Sequence, residues 1–284
     1  MTTLVFGAGF LGTRLARDLP AATLDRADIC DRHAVAAAIA RVRPDVVVNA
    51  AGKTGRPNVD WCEVHHDQTW RSNVVGVEVL ADACAADGVH LLHLGSGCVF
   101  DGPSPSPGGW REDDPPAPRS CYARSKHAAE QLLAGRPQVA IVRVRMPIDA
   151  APHPRNLITK LAGYPHVIDV ENSVTVVDDL IAVVAALAAG RATGVFHATN
   201  PGPLRHRELL ARYRAVVDPG HTYQLIPADE LITRSLVTTP RSSCILASTR
   251  LADLGLAMRP IEVALADVLA RYRESPTFLP SAQR

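Results

Sequence analysis

Thirty residues of this 284-residue chain are basic, yet only Lys53, Lys126 and Lys160 are lysines. Arginine supplies the rest. A retained lysine is therefore a candidate for work that a guanidinium cannot do, because a buried ammonium can lose its proton near neutral pH. Lys126 closes Tyr122-Ala-Arg-Ser-Lys126, and Ser96 ends an upstream apolar run. Together Ser96, Tyr122 and Lys126 form a set that could reduce a carbonyl. The lysine would lower the tyrosine pKa and hold a nicotinamide ribose, Tyr122 would protonate the carbonyl oxygen as hydride reaches its carbon, and Ser96 would give that oxygen a second hydrogen bond. Lys160 ends Pro154-Arg155-Asn156-Leu157-Ile158-Thr159-Lys160, and Lys53 lies in a Gly-Lys-Thr-Gly loop.

A hydride needs a carrier, and Gly7-Ala8-Gly9-Phe10-Leu11-Gly12 follows the first apolar run directly. Glycines at this spacing allow a tight turn and close approach of backbone amides to a pyrophosphate at a helix N-terminus. Past the second strand, Asp25 would hold a ribose 2′-hydroxyl, whereas Arg26 would accept a 2′-phosphate. The cofactor expected is thus NADPH or NADH. Asp28 and Ile29 are candidates to flank the adenine. Ala50, Ala51 and Gly52 end the third strand with small residues that let a cofactor pass close to the backbone.

These positions need a scaffold, and the chain alternates short apolar strands with amphipathic helices. Thr3 to Phe6 is followed by a helix to Leu19, a strand near Thr23, a helix from Arg32 to Val42, and Val46 to Asn49. A long helix ending near Ala86 leads to Val89–Leu94. A helix beginning near Tyr122 leads to Val139–Arg145, and Val177–Ala188 with Val195–His197 complete the layer. This rhythm predicts an α/β doubly wound parallel sheet. It breaks between Pro147 and Ser173 and after Asn200, which predicts a smaller lobe over the carboxyl ends of the strands. The proline-rich stretch Gly102–Pro118 reads as a long loop, either a connector or a substrate cover.

Hydrophobic residues make up 47% of the chain and aromatics 5%, as suits a parallel sheet packed with Ala, Val and Leu. A formal charge of +1 offers no field for nucleic acid or an anionic membrane. The absence of a long apolar run and of a signal peptide, with six irregularly spaced cysteines, predicts a cytoplasmic protein without disulfides or a metal. His65-His66, between Glu63 and Asp67, reads as a solvent-facing patch and not a metal cluster.

The sequence resembles the extended short-chain dehydrogenase/reductase superfamily, and within it the dTDP-4-dehydrorhamnose reductases. Leu24-Asp25-Arg26-Ala27-Asp28-Ile29-Cys30-Asp31 and Arg43-Pro44-Asp45-Val46-Val47-Val48-Asn49-Ala50-Ala51 are similar to that family's second and third strand regions. Closer still are the plant bifunctional UDP-4-keto-6-deoxyglucose 3,5-epimerase/4-reductases. Gly52-Lys53-Thr54-Gly55-Arg56-Pro57-Asn58-Val59-Asp60-Trp61-Cys62-Glu63, Gly97-Cys98-Val99-Phe100, Arg143-Val144-Arg145-Met146-Pro147-Ile148, the run through Lys160, and Thr199-Asn200-Pro201-Gly202 are similar to that group's motifs. The first glycine turn is one residue shorter than the family pattern, and Lys53 replaces an apolar residue of the plant group.

The resemblance implies a Rossmann-type domain (1–146 with 174–199) and a smaller, largely C-terminal substrate-binding lobe (147–173 with 200–284). It implies an NAD(P)H-dependent 3,5-epimerase/4-reductase that converts an NDP-4-keto-6-deoxyglucose to NDP-rhamnose. Cys98 and Lys160 would be the acid/base pair that inverts the carbons flanking the ketone. Cys98, two residues past Ser96 in a strand-like segment, would share its face. Arg56, Asn58, Asp60, Trp61, Asn156 and Arg241 are candidate substrate contacts, arginines suiting a nucleotide diphosphate. A simple 4-keto reductase with Cys98 and Lys160 as bystanders is the alternative. A non-enzymatic binding subunit, similar to the regulatory subunit of methionine adenosyltransferase, is a third reading against which the intact Ser96, Tyr122 and Lys126 weigh. The expected partner is a nucleotide sugar, with a homodimer left open and neither nucleic acid nor membrane expected.

Overall fold

The structure, a computed structural model, describes residues 1–275; residues 276–284, assigned above to the smaller lobe, lie outside the described residues. Strands β1 (Thr3–Phe6), β2 (Ala22–Asp25), β3 (Val46–Asn49), β4 (His90–Ser96) and β5 (Val139–Val144) join Gly194–His197 in one six-stranded sheet. All neighbours are parallel, in the order β2-β1-β3-β4-β5 and then Gly194–His197. The chain reverses its winding at β1 and β3, which opens a crevice at their carboxyl ends. Every residue of β1, β3 and β4 is buried, which explains their continuous apolar character.

Helices cover both faces. α1 (Phe10–Asp18) lies on one face; α2 (Arg32–Val42) lies on the other, started by the Asp31 carboxylate accepting from the amides of His33 and Ala34. The long helix expected to end at Ala86 is broken into α3 (Asp60–Val64), α4 (His66–Trp70), a wider five-residue π turn at Arg71–Val75, and α5 (Gly76–Ala86). Buried Asn73 in that turn explains the widening. Its amide donates to Lys53 O and Ser125 Oγ, both at 3.0 Å, while its oxygen accepts from Lys53 N at 2.7 Å. α6 (Cys121–Leu133) is capped by Ser120 and packs beside α5. α7 (Leu157–Ala162) precedes α8 (Val177–Ala189), which covers the α1 face.

A further core gathers Leu157, Ile158 and Leu161 of α7 with Leu209, Leu210 and Tyr213 of helix His206–Val216 and Leu265 and Val268 of helix Ile261–Arg273. Arg14 of α1 ties this region to the sheet, pairing with Asp149 and, at 2.6 Å, with Asp178 of α8. The Gly102–Pro118 loop is fastened down, not poised as a cover. Trp110 N donates to Ile245 O, Ala247 N donates to Trp110 O, and the Trp110 ring stacks on Phe100 at 4.9 Å. Buried Glu112 accepts from the amides of His197 and Arg250 and from the Thr249 hydroxyl. No helix of the described residues is long and apolar enough to cross a membrane.

Arg143 on β5 is the polar joint beneath this strap. It is bidentate to Glu130 of α6, with Nε at 3.1 Å and Nη2 at 2.8 Å, and its Nη1 donates to His197 Nε2 at 3.0 Å. Burial and then Arg143 push His197 down to about 4, so it stays neutral there. Because Glu130 would be left buried and unpaired, Arg143→Met is expected to lower unfolding free energy by about 3–5 kcal/mol. Urea unfolding reads this directly, and a loss below about 1 kcal/mol, the range of an exposed pair, would remove the pair from its structural role.

Candidate active site

The glycine turn after β1 is shaped by what touches it. At Gly7, φ is +100°, and a Cβ would come within 2.4 Å of Ala51 N; at Gly12 it would meet Gly7 O at 1.9 Å. These glycines let the β1 and β3 turns and α1 close on one another. A Cβ at Gly9 would meet nothing within 4 Å, so the open space needed for a pyrophosphate lies at the α1 N-terminus. Phe10, the first residue of α1, stacks on His153 at 4.5 Å. Leu11 and Ala50 pack against the α1-side core, and Gly52 is exposed at the crevice.

Past β2, the Asp25 carboxylate is engaged by Arg41 at 2.5 Å and by Ala27 N at 2.8 Å, while Arg26 is exposed. Asp28 pairs with Arg71 at 2.8 Å. Ile29 corrects an expectation: it is buried against Gly76, whose Cβ would approach Ile29 Cγ1 to 2.6 Å, and so belongs to the core and not to an adenine wall.

Ser96 at the end of β4 and Tyr122 in the first turn of α6 lie near enough for the serine to act on the phenol. Burial and then the neighbouring Cys98 hold the Tyr122 phenol above its ordinary range, with Ser96 acting in the opposite direction. Burial dominates, and Tyr122 keeps its proton. Lys126, one turn along and buried, points its Nζ at Leu94 O (2.7 Å) and His93 Nε2 (3.0 Å). Burial pushes Lys126 down to about 8.

Cys98 stands near Ser96 for a different reason from the one the sequence suggests. Gly97–Val99 is a 3-10 turn, not a strand, and Cys98 N donates to Ser96 Oγ at 3.2 Å. The fully buried guanidinium of Arg145 donates to Cys98 Sγ at 3.0 Å, and also to Ser242 Oγ and Asn172 Oδ1.

Lys160 comes from the last turn of α7. Burial first, then the charges of Arg155 and Arg241, bring it below the usual lysine range. Arg155 is itself lowered by burial and by Arg56, feels Tyr122, and donates to Gly55 O. Arg56, Arg155, Lys160 and Arg241 thus share one cationic neighbourhood suited to a diphosphate. Its counter-charge is Asp60, which takes Arg241 in a bidentate pair at 2.7 and 2.8 Å and accepts from Thr238 N; burial opposes these contacts, yet they keep its carboxyl low. Trp61 stacks on His65 at 4.0 Å with Lys53 Nζ 5.9 Å from its ring, and Asn58 Oδ1 accepts from Asp60 N.

Asn156 is a second correction. Its amide donates to Asp149 O and Ala151 O, its oxygen caps α7 through Ile158 N, and it is 0% exposed, so it positions Lys160 instead of touching a substrate. Arg145, Arg155 and His93, which touch or neighbour these side chains, were not among the candidates. The first two sat inside quoted motifs, where their spacing alone carried no sign of burial; His93 reads as one more residue of a buried strand. No group of three metal-ligating side chains occurs among the described residues.

The family described as the RmlD substrate binding domain matches residues 1–274. The chain is 40% identical over 227 residues to an Arabidopsis thaliana bifunctional dTDP-4-dehydrorhamnose 3,5-epimerase/dTDP-4-dehydrorhamnose reductase, covering 78% of this chain and 75% of that one. The crystal structure of the L780 UDP-rhamnose synthase from Acanthamoeba polyphaga mimivirus is similar with a TM-score of 0.88 and 28% identity, covering 95% of this chain and 99% of that one. A dTDP-4-dehydrorhamnose reductase from Bacillus anthracis, solved in complex with NADP, shares the fold with a TM-score of 0.80 and 23% identity, over 94% of this chain and 99% of that one.

With only three lysines, 13Cε-lysine labelling gives a direct test of this electrostatic setting. Lys126 is expected to titrate near 8 and Lys160 below the ordinary value of about 10.4. Both titrating at or above that ordinary value would contradict the buried placement of the two side chains.

Proposed function

Because the chain belongs to the RmlD substrate binding domain family of nucleotide-sugar oxidoreductases, we propose that it reduces an NDP-4-keto-6-deoxy sugar after epimerising it at the carbons flanking the ketone, giving NDP-rhamnose. The observation that carries this reading is the placement of Cys98 beside the Tyr122 phenol, with Lys160 arriving from α7 in the same cationic neighbourhood. A simple reductase needs Ser96, Tyr122 and Lys126; the added thiol and amine are what epimerisation requires.

The open space at Gly9 fits a dinucleotide pyrophosphate, and NADPH is the cofactor proposed. Asp25 is already neutralised by Arg41, which leaves exposed Arg26 for a 2′-phosphate. The cofactor, when bound, supplies the hydride. Tyr122 protonates the C4 oxygen, and Ser96 holds that oxygen by a hydrogen bond. Cys98 and Lys160, approaching from different elements, remove the acidic α-protons and return protons to the opposite faces. Arg56 and Arg155 bind the diphosphate, and the Asp60–Arg241 pair borders the substrate. Residues 147–173 and the chain after 200 act as the substrate lobe. The unbridged cysteines fit a reducing, cytoplasmic setting.

Tyr122→Phe is expected to leave NADPH binding unchanged while turnover falls about a hundredfold or more, since the proton donor is lost. Near-normal reduction by that variant removes Tyr122 from the chemistry.

Cys98→Ala and Lys160→Arg separate the two halves. Each is expected to abolish deuterium uptake from heavy water into the carbons flanking the ketone, measured without reductant, while a substrate epimerised beforehand is still reduced. Undiminished uptake in both variants would remove Cys98 and Lys160 from the exchange, and absence of uptake in the unaltered protein would leave the simple reductase as the better reading.

A further inference from the structure

The turn and short helix after β3 reach three other parts of the protein. Gly55, at φ +70°, turns the chain so tightly that a Cβ there would meet Asn58 O at 2.4 Å and Trp61 Cβ at 2.7 Å, which sets α3 directly beside it. Gly55 O then accepts from Arg155, and Asp60 accepts from Thr238 N at 3.1 Å and holds Arg241 at 2.7 Å. The third tie runs toward the phenol. Glu63 Oε1 accepts from Cys121 N at 2.7 Å, across 58 positions of sequence, and Cys121 is the first residue of α6 and the neighbour of Tyr122. α6 already has an ordinary cap, because Ser120 Oγ accepts from Ala123 N at 3.1 Å. Glu63 takes the amide one residue ahead of Tyr122 instead, and its carboxylate meets the positive end of the helix.

We propose that Glu63 is a positioning residue for reduction, holding the first turn of α6, and with it the Tyr122 phenol, in register with the loop that carries Arg56 and Asp60. The mechanical reason is where α6 is otherwise fastened. Lys126 Nζ donates to Leu94 O of β4 at 2.7 Å, and Asn73 Nδ2 donates to Ser125 Oγ at 3.0 Å, so both pins lie further along the helix than Tyr122. Tyr122 stands between these pins and the helix end, and the Glu63 bond stops that end from swinging about them. A proton donor has to lie within about 3.2 Å of the oxygen it serves, so a displaced first turn costs turnover without costing affinity. Through Asp60 and Glu63, one turn of helix ties the proton donor to Arg241 in the cationic neighbourhood. The consequence for turnover rests on the proposed role of Tyr122; the placement of its ring by Glu63 does not.

The chain holds five tyrosines, so 13Cζ-tyrosine labelling resolves Tyr122, with Tyr122→Phe identifying its resonance. Without substrate, Glu63→Ala is expected to shift that resonance, and Glu63→Gln, which keeps an oxygen for Cys121 N–H, to leave it in place. With a substrate epimerised beforehand, Glu63→Ala is expected to lower kcat about tenfold while KM and NADPH affinity stay unchanged, and Glu63→Gln to restore turnover. An unmoved Tyr122 resonance or an unchanged kcat in Glu63→Ala would overturn the proposal, as would a loss of NADPH affinity equal to the loss of kcat or a Gln variant that behaves like the Ala variant. Should the unaltered protein reduce no such substrate, the proposed function falls and the resonance still decides the role of Glu63. If Glu63→Ala does not fold, Glu63→Asp, whose carboxylate stops one methylene short of Cys121, is held to the same readings.

Discussion

The Arg145 guanidinium is 1% exposed and makes no carboxylate hydrogen bond among the described residues, which is a demanding way to bury a charge. Its needs organise the site. It draws in Cys98 from the turn after β4, Asn172 from beyond α7, and both the hydroxyl and carbonyl of Ser242. Three stretches distant in sequence are thereby held around one side chain. The same Asn172 oxygen accepts from Cys244 N, and Ser173 Oγ accepts from Leu246 N, so the 242–246 segment is held in place beside it. The Gly102–Pro118 strap then closes on that segment through Trp110.

Much of the fold was legible because parallel strands buried on both faces announce themselves as unbroken apolar runs, and Val46–Asn49 and His90–Ser96 lie within a residue or two of their reading. The helix ahead of Ala86 was misread because hydrophobic periodicity does not encode an inserted residue. Its π turn is set by a tertiary demand, the burial of Asn73 against the Lys53 loop and α6. The strap was left open between connector and cover for a similar reason: proline content identifies a loop but not the carboxylate of Glu112 that fastens it.

At the site, residue types with chemistry of their own were visible, and residues that act by position were not. Tyr122 and Lys126 were singled out from type and spacing, and Cys98 from the family resemblance. Asn156 was assigned to the substrate because an amide in a motif reads equally well as a contact or as a cap, and only burial distinguishes them. Ile29 followed from its place after β2, where the packing of Gly76 was invisible. Lys126 was read as the partner of Tyr122 and a nicotinamide ribose, and the contacts of its Nζ with His93 Nε2 and Leu94 O were not legible.

Cys98 belongs to the turn at the carboxyl end of β4, whereas Lys160 rides on a six-residue helix packed into the separate core around Tyr213. Ser96, Tyr122 and Lys126 all sit on β4 and α6, which contact each other directly. The two constellations therefore have unequal mechanical tolerance. A small slip between the cores leaves the serine, tyrosine and lysine in register while parting the thiol from the amine, so drift in the interface between cores, accumulated by mutations far from either side chain, would erode one constellation and spare the other.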